Sequence, residues 1–358
     1  MAELILHIGS HKTGTSSIQH VLSGSQAALE RQGVAYLLRD DRATGNASSL
    51  VQTSGERETF EARFVDAKAD RLLRPRAPRN IVSAEGFFWF SDPDEVGRFA
   101  ALARTRFERI TVLAYLRRQD RLAVSHRNQV RNAAPTMRFY GLRADPLPEY
   151  RPYLQRYFDY ASKLIDLWGG AFGNDNVMAV PFEREALVDG DVVADFAART
   201  GIELALDQPV TRNASSAGLA RTFVDLKLAE LGFPAEGRRK IVRRLAREGL
   251  FLPTRDEARA FLAHFEAGNA RLAESFRIDG RPFGFDPSME MYPDLSEGMW
   301  SHALVGQVIE ALLSDRDALS GAAATPAGAT AVDRGAKRKI KGKQKKAAVA
   351  PARSETTQ

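Results

Sequence analysis

Short apolar runs alternate with amphipathic stretches through residues 1–200. Apolar runs of about four to eight residues predict buried strands, and apolar side chains repeating every three or four positions predict helices. The predicted strands are Leu4–Ile8, Val34–Leu38, Arg79–Glu85, Arg109–Leu116 and Asn176–Val180. The predicted helices begin near residue 15, span 56–73 and 93–106, begin again near 120, and span 150–172 and 191–200. This alternation predicts an α/β fold with a parallel sheet of about five strands flanked by helices.

The rest of the chain predicts additions to that sheet. Residues 217–275 have helical spacing, whereas 40–54, 132–152 and 280–294 have the polar or Gly/Pro-rich composition of loops. From about residue 320 the sequence is rich in Ala, Gly and Lys. Such a composition is typical of disorder. We therefore expect one α/β domain over 1–315, helical from about 217, and a disordered basic tail over 316–358.

Composition narrows the classes of function. The chain has no cysteine, which excludes disulfides, thiolate zinc sites and cysteine nucleophiles. It shows neither a signal-peptide pattern nor an apolar run long enough to span a membrane, so we expect a cytoplasmic protein.

The formal net charge of +6 is concentrated at the C-terminus, where residues 333–358 hold nine basic and two acidic side chains. The rest is nearly neutral, so no nucleic-acid partner is expected. The stretch 334–346 either solubilises the chain or contacts an anionic surface weakly.

The first strand leads into a turn that has the features of an anion site. Gly9 and Gly14 have the glycine spacing of a phosphate-binding loop, and Ser16 stands at its hydroxyl position. In such a loop the lysine follows the second glycine. Here Thr15 follows Gly14, and the lysine, Lys12, lies between the two glycines. This order predicts a phosphate cradle at a helix N-terminus that is not an ATPase loop. The alternative is an ordinary strand–turn–helix corner.

A second anion site is predicted where the fourth strand ends. Arg117 closes that strand, and Ser125 lies two turns into the next helix. A guanidinium fork and a hydroxyl suit a phosphate. Because ligands bind at the carboxyl ends of parallel strands, both sites and the polar strand end Ser83–Glu85 should converge.

Together these motifs resemble those of the P-loop sulfotransferases, which use 3′-phosphoadenosine 5′-phosphosulfate (PAPS). His11–Ser17 is similar to their phosphosulfate loop, and Leu116–Ser125 is similar to their 3′-phosphate motif. The resemblance is best to bacterial members and covers roughly residues 1–215.

The resemblance implies a role for each matched position. Lys12 would stabilise charge on the leaving phosphate, and the loop backbone would cradle that phosphate. The implied PAPS-binding residues are Lys12, Thr13, Gly14, Thr15, Ser16, Ser17, Arg117 and Ser125. The product would be adenosine 3′,5′-bisphosphate, with no metal required. The implied acceptor is a hydroxyl or amine of a carbohydrate or glycolipid.

The acceptor needs a general base. Glu85 is the first candidate, because the aromatic run after it would desolvate the carboxylate and raise its pKa. The alternative for Glu85 is a cap or an ion pair. His11 is the rival base, while His7 is expected to be a strand histidine bonded to backbone.

Other polar residues leave their roles open. Arg118 and Arg121 either touch nucleotide or lie on a solvated helix face. Arg212 and Asn213 fall where related enzymes close a loop over the 3′-phosphate, although the common R-K-G string is absent.

Two other functions remain open from the sequence. The first is a P-loop kinase or nucleotide-binding protein, which would require magnesium-dependent ATP binding. The second is a module that binds a nucleotide without chemistry.

Overall fold

A five-stranded parallel sheet forms the centre of the fold, as predicted, and helices pack on both of its faces. The computed structural model describes residues 2–38, 45–129, 138–141, 143–204, 218–295 and 299–314. All of these lie in one unit, Met1–Ala322. The expected tail 316–358 and the loop residues Arg212 and Asn213 lie outside the described residues.

The strands of the sheet are β1 (Glu3–Gly9), β2 (Val34–Tyr36), β5 (Arg79–Ser83), β6 (Arg109–Leu116) and β7 (Val177–Pro181). Their order across the sheet is β2-β5-β1-β6-β7. Central β1 pairs with β5 on one side and β6 on the other, so the chain order reverses beside it. In sheets of this kind the crevice at such a reversal is where ligands bind. The topology therefore puts the glycine turn after β1 at the favoured position.

Helices connect the strands and extend the C-terminal half. The first helix follows β1 after a five-residue turn, and the helix after β6 begins two residues beyond that strand. The helices are α1 (Thr15–Gly24), α2 (Gln26–Arg31), α3 (Asp66–Leu72), α4 (Pro93–Arg104), α5 (Gln119–Arg127), α6 (Gln155–Phe158), α7 (Val192–Thr200), α8 (Leu219–Glu230), α9 (Ala235–Arg244), α10 (Arg255–Ala263), α11 (Glu266–Ser275) and α12 (His302–Ser314). The region expected to be helical from 217 is confirmed for its described residues.

Short elements fill the connections. A 3-10 turn follows β5 directly and carries Glu85 at its start. The 3-10 turns are Ser48–Leu50, Arg57–Thr59, Glu85–Trp89, Pro152–Leu154, Asn174–Asn176, Arg184–Ala186 and Val188–Gly190. Two antiparallel pairs stand apart from the main sheet: β3 (Val51–Ser54) with β4 (Glu61–Phe64), and β8 (Arg277–Ile278) with β9 (Arg281–Pro282).

The core lies on both faces of the sheet, as expected for a parallel sheet covered by helices. Leu4, Leu6 and Ile8 of β1 pack into the larger cluster, which holds most of the aromatic side chains. Ile5 packs into the cluster on the other face, with Ile18 of α1. This alternation along β1 fixes its register and hence the place where the strand ends.

The predicted helix over 56–73 is wrong in its first half. Residues 61–64 form β4, and only Asp66–Leu72 is helical. Phe60, Ala62 and Phe64 are all buried at a spacing of two, which is the period of a strand. Phe60 and Phe64 are also four apart, so the pair matched a helix equally well. The loop predicted over 40–54 likewise contains β3.

The predicted helix over 150–172 is interrupted. Helix α6 ends at Phe158, and Asp159 has an extended conformation. Its carboxylate accepts hydrogen bonds from the N–H and hydroxyl of Ser162, where a π-helix begins. That π-helix spans Ser162–Gly169, and Gly170–Phe172 continues it as a helical turn. The predicted strand Val34–Leu38 is shorter in the structure, ending at Tyr36.

The π-helix holds a lysine inside the aromatic core. Lys163 is 2% exposed, its Nζ donates to the carbonyl of Phe90 at 2.5 Å, and it lies 5.3 Å from the Phe88 ring centroid. Burial lowers the pKa of Lys163 to about 7. A lysine whose pKa is lower in the folded state penalises folding while it is charged.

We predict that Lys163→Met raises the free energy of unfolding by an amount that depends on pH. Between pH 7 and about 10.5 the unfolded chain binds a proton that the folded chain has lost, so wild-type stability rises with pH. The advantage of Lys163→Met should be largest below pH 7 and shrink by up to about 1.4 kcal/mol per pH unit above it. Urea unfolding at several pH values measures this. Exposed Lys68→Met is the matched control, and parallel pH profiles for all three proteins would contradict the prediction.

Candidate functional site

The turn after β1 presents a row of backbone donors. Gly9, Lys12 and Gly14 have positive φ angles of 94°, 61° and 71°. Within the described residues, the N–H groups of Lys12 to Ser16 have no backbone or side-chain acceptor. Consecutive N–H groups left unpaired at a helix N-terminus form an anion-binding concavity. The loop thus presents these donors at the position where the sequence predicts a phosphate cradle.

Side chains of the loop divide into two groups. The hydroxyls of Thr13 and Thr15 donate to the Ser10 carbonyl at 2.7 and 3.2 Å, so they hold the turn together and are buried. Ser16 is exposed at the start of α1, whereas Ser17 is buried. Of the hydroxyl residues expected to bind phosphate, Thr13 and Thr15 therefore offer their N–H groups rather than their side chains.

Gly14 has both a conformational and a steric reason to be glycine. A Cβ at this position would lie 2.6 Å from Cγ1 of Val192, at the start of α7. Contacts that close do not occur, so a side chain would push α7 away from the loop. At Gly9 a Cβ would lie 3.1 Å from the Cα of Glu85. The two glycines let the loop pack between α7 and the turn that carries Glu85.

Arg117 lies against the loop rather than apart from it. Its Nη1 donates to the carbonyl of Lys12 at 3.2 Å, and its guanidinium lies 5.6 Å from the centroid of the Phe182 ring. Burial, followed by repulsion from Arg121, lowers the pKa of Arg117. The two predicted anion sites are thus neighbouring parts of one positively charged region.

Ser125 is partly exposed on α5, and its hydroxyl has no hydrogen-bond partner among the described residues. The adjacent residue, His126, brings this turn of α5 beside the loop, because its ring centroid lies 5.4 Å from that of His11. The expected approach of Ser125 to the loop is therefore consistent with the packing of α5.

Lys12 and Glu85 form a cation–carboxylate pair without direct contact. In the described part of the chain, neither side chain has an ion pair within 4.0 Å or a hydrogen-bond partner. Burial lowers the pKa of Lys12, and Arg117 lowers it further, while Glu85 opposes both. Burial raises the pKa of Glu85, and Lys12 opposes that shift. Two partly buried charges that interact across a gap, without neutralising each other, are typical of reactive sites.

The aromatic run after Glu85 is buried, as the expected desolvation of this carboxylate requires. Phe87 and Phe88 are fully buried, and Trp89 is 6% exposed. Trp89 stacks on Tyr157 with ring centroids 4.2 Å apart, and its ring centroid lies 5.0 Å from that of His11. The apolar wall of the site therefore joins the Glu85 turn to the loop and to α6.

The position of His11 bears on its protonation. Its Nδ1 lies 2.7 Å from the hydroxyl of Tyr157. Burial, together with the charge of Lys12, lowers the pKa of His11 to about 3, so its ring is neutral at pH 7. Among the described residues that nitrogen is the only acceptor for the buried Tyr157 hydroxyl. Because a buried hydroxyl hydrogen needs an acceptor, we infer that the hydroxyl donates to Nδ1 and that Nε2 of His11 carries the hydrogen.

A second histidine repeats this arrangement. Nδ1 of His126 lies 2.6 Å from the hydroxyl of Tyr140, and its buried Nε2 has no hydrogen-bond partner among the described residues. The next residue, Arg127, is 5% exposed and donates from Nη1 to the Gly141 carbonyl at 2.8 Å. Sequence reasoning missed His126, Tyr140 and Tyr157. The only signal was that His126 follows Ser125.

Several polar residues of the sequence have structural partners. Arg118 makes two hydrogen bonds of 2.8 Å to Asp120, and Arg121 pairs with Glu183 and Asp286. Neither arginine is a solvated face residue, and both tie α5 to later segments. Nδ1 of His7 lies 2.9 Å from the Ser83 hydroxyl, so its partner is a side chain rather than backbone.

The chain resembles one protein of unknown role. No family model matches it. Over 205 residues it is 28% identical to an uncharacterized protein of Archaeoglobus fulgidus, a match covering 55% of this chain and 53% of that protein. The match thus spans about half of that relative. Within the described residues, no helix is long and apolar enough to cross a membrane.

We predict that His11 is a neutral Nε2–H tautomer. Its ¹⁵N shifts should identify Nδ1 as a hydrogen-bond acceptor and stay constant from pH 5 to 8, because its pKa lies well below that range. Tyr157→Phe removes the donor and should shift the Nδ1 signal. Tyr153→Phe is the control, since the Tyr153 hydroxyl donates to Phe139 instead. An Nδ1–H tautomer in the wild type would show that the assignment is wrong.

Proposed function

We propose that this protein is a sulfotransferase that moves the sulfuryl group from PAPS to a hydroxyl or amine of a carbohydrate or glycolipid acceptor. The observation that carries the proposal is the row of N–H groups from Lys12 to Ser16, which have no acceptor in the described ranges and are bordered by the Lys12 and Arg117 cations. That set of donors suits a doubly anionic nucleotide better than a neutral ligand. The displaced lysine and the resemblance of both motifs favour a phosphosulfate.

The residues present fit such a co-substrate. The loop N–H groups would hold its 5′-phosphosulfate, and Arg117 with Ser125 would hold its 3′-phosphate. When bound, PAPS supplies the sulfuryl group that is transferred. Lys12 would stabilise negative charge at the leaving oxygen from a position where burial and Arg117 already disfavour its own charge.

Glu85 is the proposed base. Its carboxylate has no partner among the described residues, and burial raises its pKa toward the range in which a carboxylate accepts a proton efficiently. Nδ1 of His11 lies 2.7 Å from the Tyr157 hydroxyl, and in the tautomer predicted above Nε2 carries the hydrogen. We therefore assign His11 a donor role toward oxygen atoms at the site, rather than the role of base.

Nucleotide binding should depend on both cations. Adenosine 3′,5′-bisphosphate is expected to raise the melting temperature of the wild type, and Lys12→Ala or Arg117→Ala should weaken its binding about ten- to a hundredfold, the usual loss for a hydrogen bond to a charged group. Lys68→Ala and Arg259→Ala are matched controls on exposed helix faces. Stabilisation by magnesium-ATP but not by the bisphosphate would instead indicate the P-loop kinase.

Turnover should depend on Glu85 separately from binding. Glu85→Gln keeps the shape of the side chain but cannot take a proton, so it should bind the bisphosphate normally and lose about 10²- to 10⁴-fold in rate. A mass-spectrometric screen for acceptors that gain sulfate from PAPS provides the assay. In the wild type the rate should fall as the pH drops through the raised pKa of Glu85.

Two outcomes would count against this assignment of the base. If Glu85→Gln retains the wild-type rate and the acidic limb of the pH profile, another group takes the proton. If the wild type binds the bisphosphate but transfers sulfate to no acceptor in a lysate, the result favours a module that binds a nucleotide without chemistry.

A further inference from the structure

Helix α12 (His302–Ser314) is apolar on two of its faces. One face packs on α8 and α9 through Leu304, Val308, Ala311 and Leu312. A second row faces solvent at a spacing of four residues, with exposed fractions of 41%, 52% and 70% for Val305, Ile309 and Leu313. We call this row the apolar stripe. Glu310 is the only acidic residue of the helix, which has no lysine or arginine.

The helix beside the stripe is strongly basic. Helix α9 carries one acidic residue, Glu236, and five basic residues: Arg238, Arg239, Lys240, Arg243 and Arg244. It packs against α12 within the same apolar cluster. Arg238 points inward to Asp225 of α8, whereas the other four are exposed. These four cations therefore stand on the helix that packs next to α12.

We propose that the apolar stripe of α12 and the exposed cations of α9 form one surface that docks on an anionic lipid bilayer. Apolar side chains that enter the acyl boundary beside lysine and arginine at the headgroups are the usual combination for interfacial binding. An apolar stripe alone or a group of cations alone binds a bilayer weakly, and stable attachment takes both features together. The surface needs neither a spanning helix nor the nucleotide site, so it is independent of the proposed function.

Charge favours a bilayer over a second copy of this chain. An interface with twofold symmetry built on the stripe would bring the basic α9 helices of both copies toward the same contact, where they repel each other. The sequence after α12 adds charge of the same sign, since residues 333–358 hold nine basic and two acidic side chains. An anionic surface attracts both the helix and this sequence.

The stripe can be tested in the full chain with vesicles. We expect the wild type to co-sediment with vesicles containing phosphatidylglycerol and not with phosphatidylcholine alone. Ile309→Asp combined with Leu313→Asp should lower the bound fraction at least about tenfold, because carboxylates replace inserted apolar groups. Ala303→Asp with Gln307→Asp is the matched control, since it adds the same charge to α12 at exposed positions away from the stripe.

The electrostatic part has its own test. Arg239→Gln, Lys240→Gln and Arg243→Gln together should weaken binding to anionic vesicles, as should about 1 M salt, which shortens the Debye length to about 3 Å. Circular dichroism and melting curves check that each variant is folded.

Three results would overturn the proposal. The first is equal binding of the stripe variant and the wild type, which would assign attachment to the basic sequence alone. The second is no preference for anionic lipid. The third is a wild-type dimer in light scattering that the stripe variant abolishes without any vesicle binding, which would assign the stripe to a second copy.

Discussion

Five backbone N–H groups, from Lys12 to Ser16, have no acceptor in the described part of the chain, and the rest of the site depends on how they are held. The turn that carries them contains three residues with positive φ, and the Thr13 and Thr15 hydroxyls fix it on the Ser10 carbonyl. Unpaired donors are costly unless water or a ligand satisfies them. These N–H groups follow β1, beside which the strand order reverses, and ligands bind at that position in sheets of this kind.

The charges of the side chains at the site also favour a bound anion. Burial and the charge of Arg117 lower the pKa of Lys12, and burial and the charge of Arg121 lower the pKa of Arg117. Glu85 offsets only part of the lowering of the Lys12 pKa, because its carboxylate is not in contact with Lys12 and makes no ion pair with it. A bound anion would lower the energy of both cations at once. The burial and repulsion of these cations would thus both favour binding of an anion and destabilise the site when no anion is bound.

Sequence pattern could predict the parts of the site that are local. The loop and the strand–helix junction at Arg117 are contiguous stretches whose spacing carries the geometry, and alternating elements predict the parallel sheet. Tyr157 is different: 146 positions separate it from His11, and only packing of α6 on the loop joins them. The hairpin of β3 and β4 was not predicted, because the spacing of Phe60 and Phe64 fits the period of a helix as well as that of a strand.

The choice of base shows why such distant contacts matter for chemistry. The sequence makes Glu85 and His11 both candidates, since Glu85 ends a predicted strand beside an aromatic run and His11 lies in the loop itself. The hydroxyl of Tyr157 has one acceptor in the described structure, Nδ1 of His11, and a neutral imidazole with that nitrogen occupied offers only a donor at Nε2. The carboxylate of Glu85 has no comparable partner, and burial raises its proton affinity. A tyrosine on α6 thereby limits which of two residues near the loop is available to accept a proton.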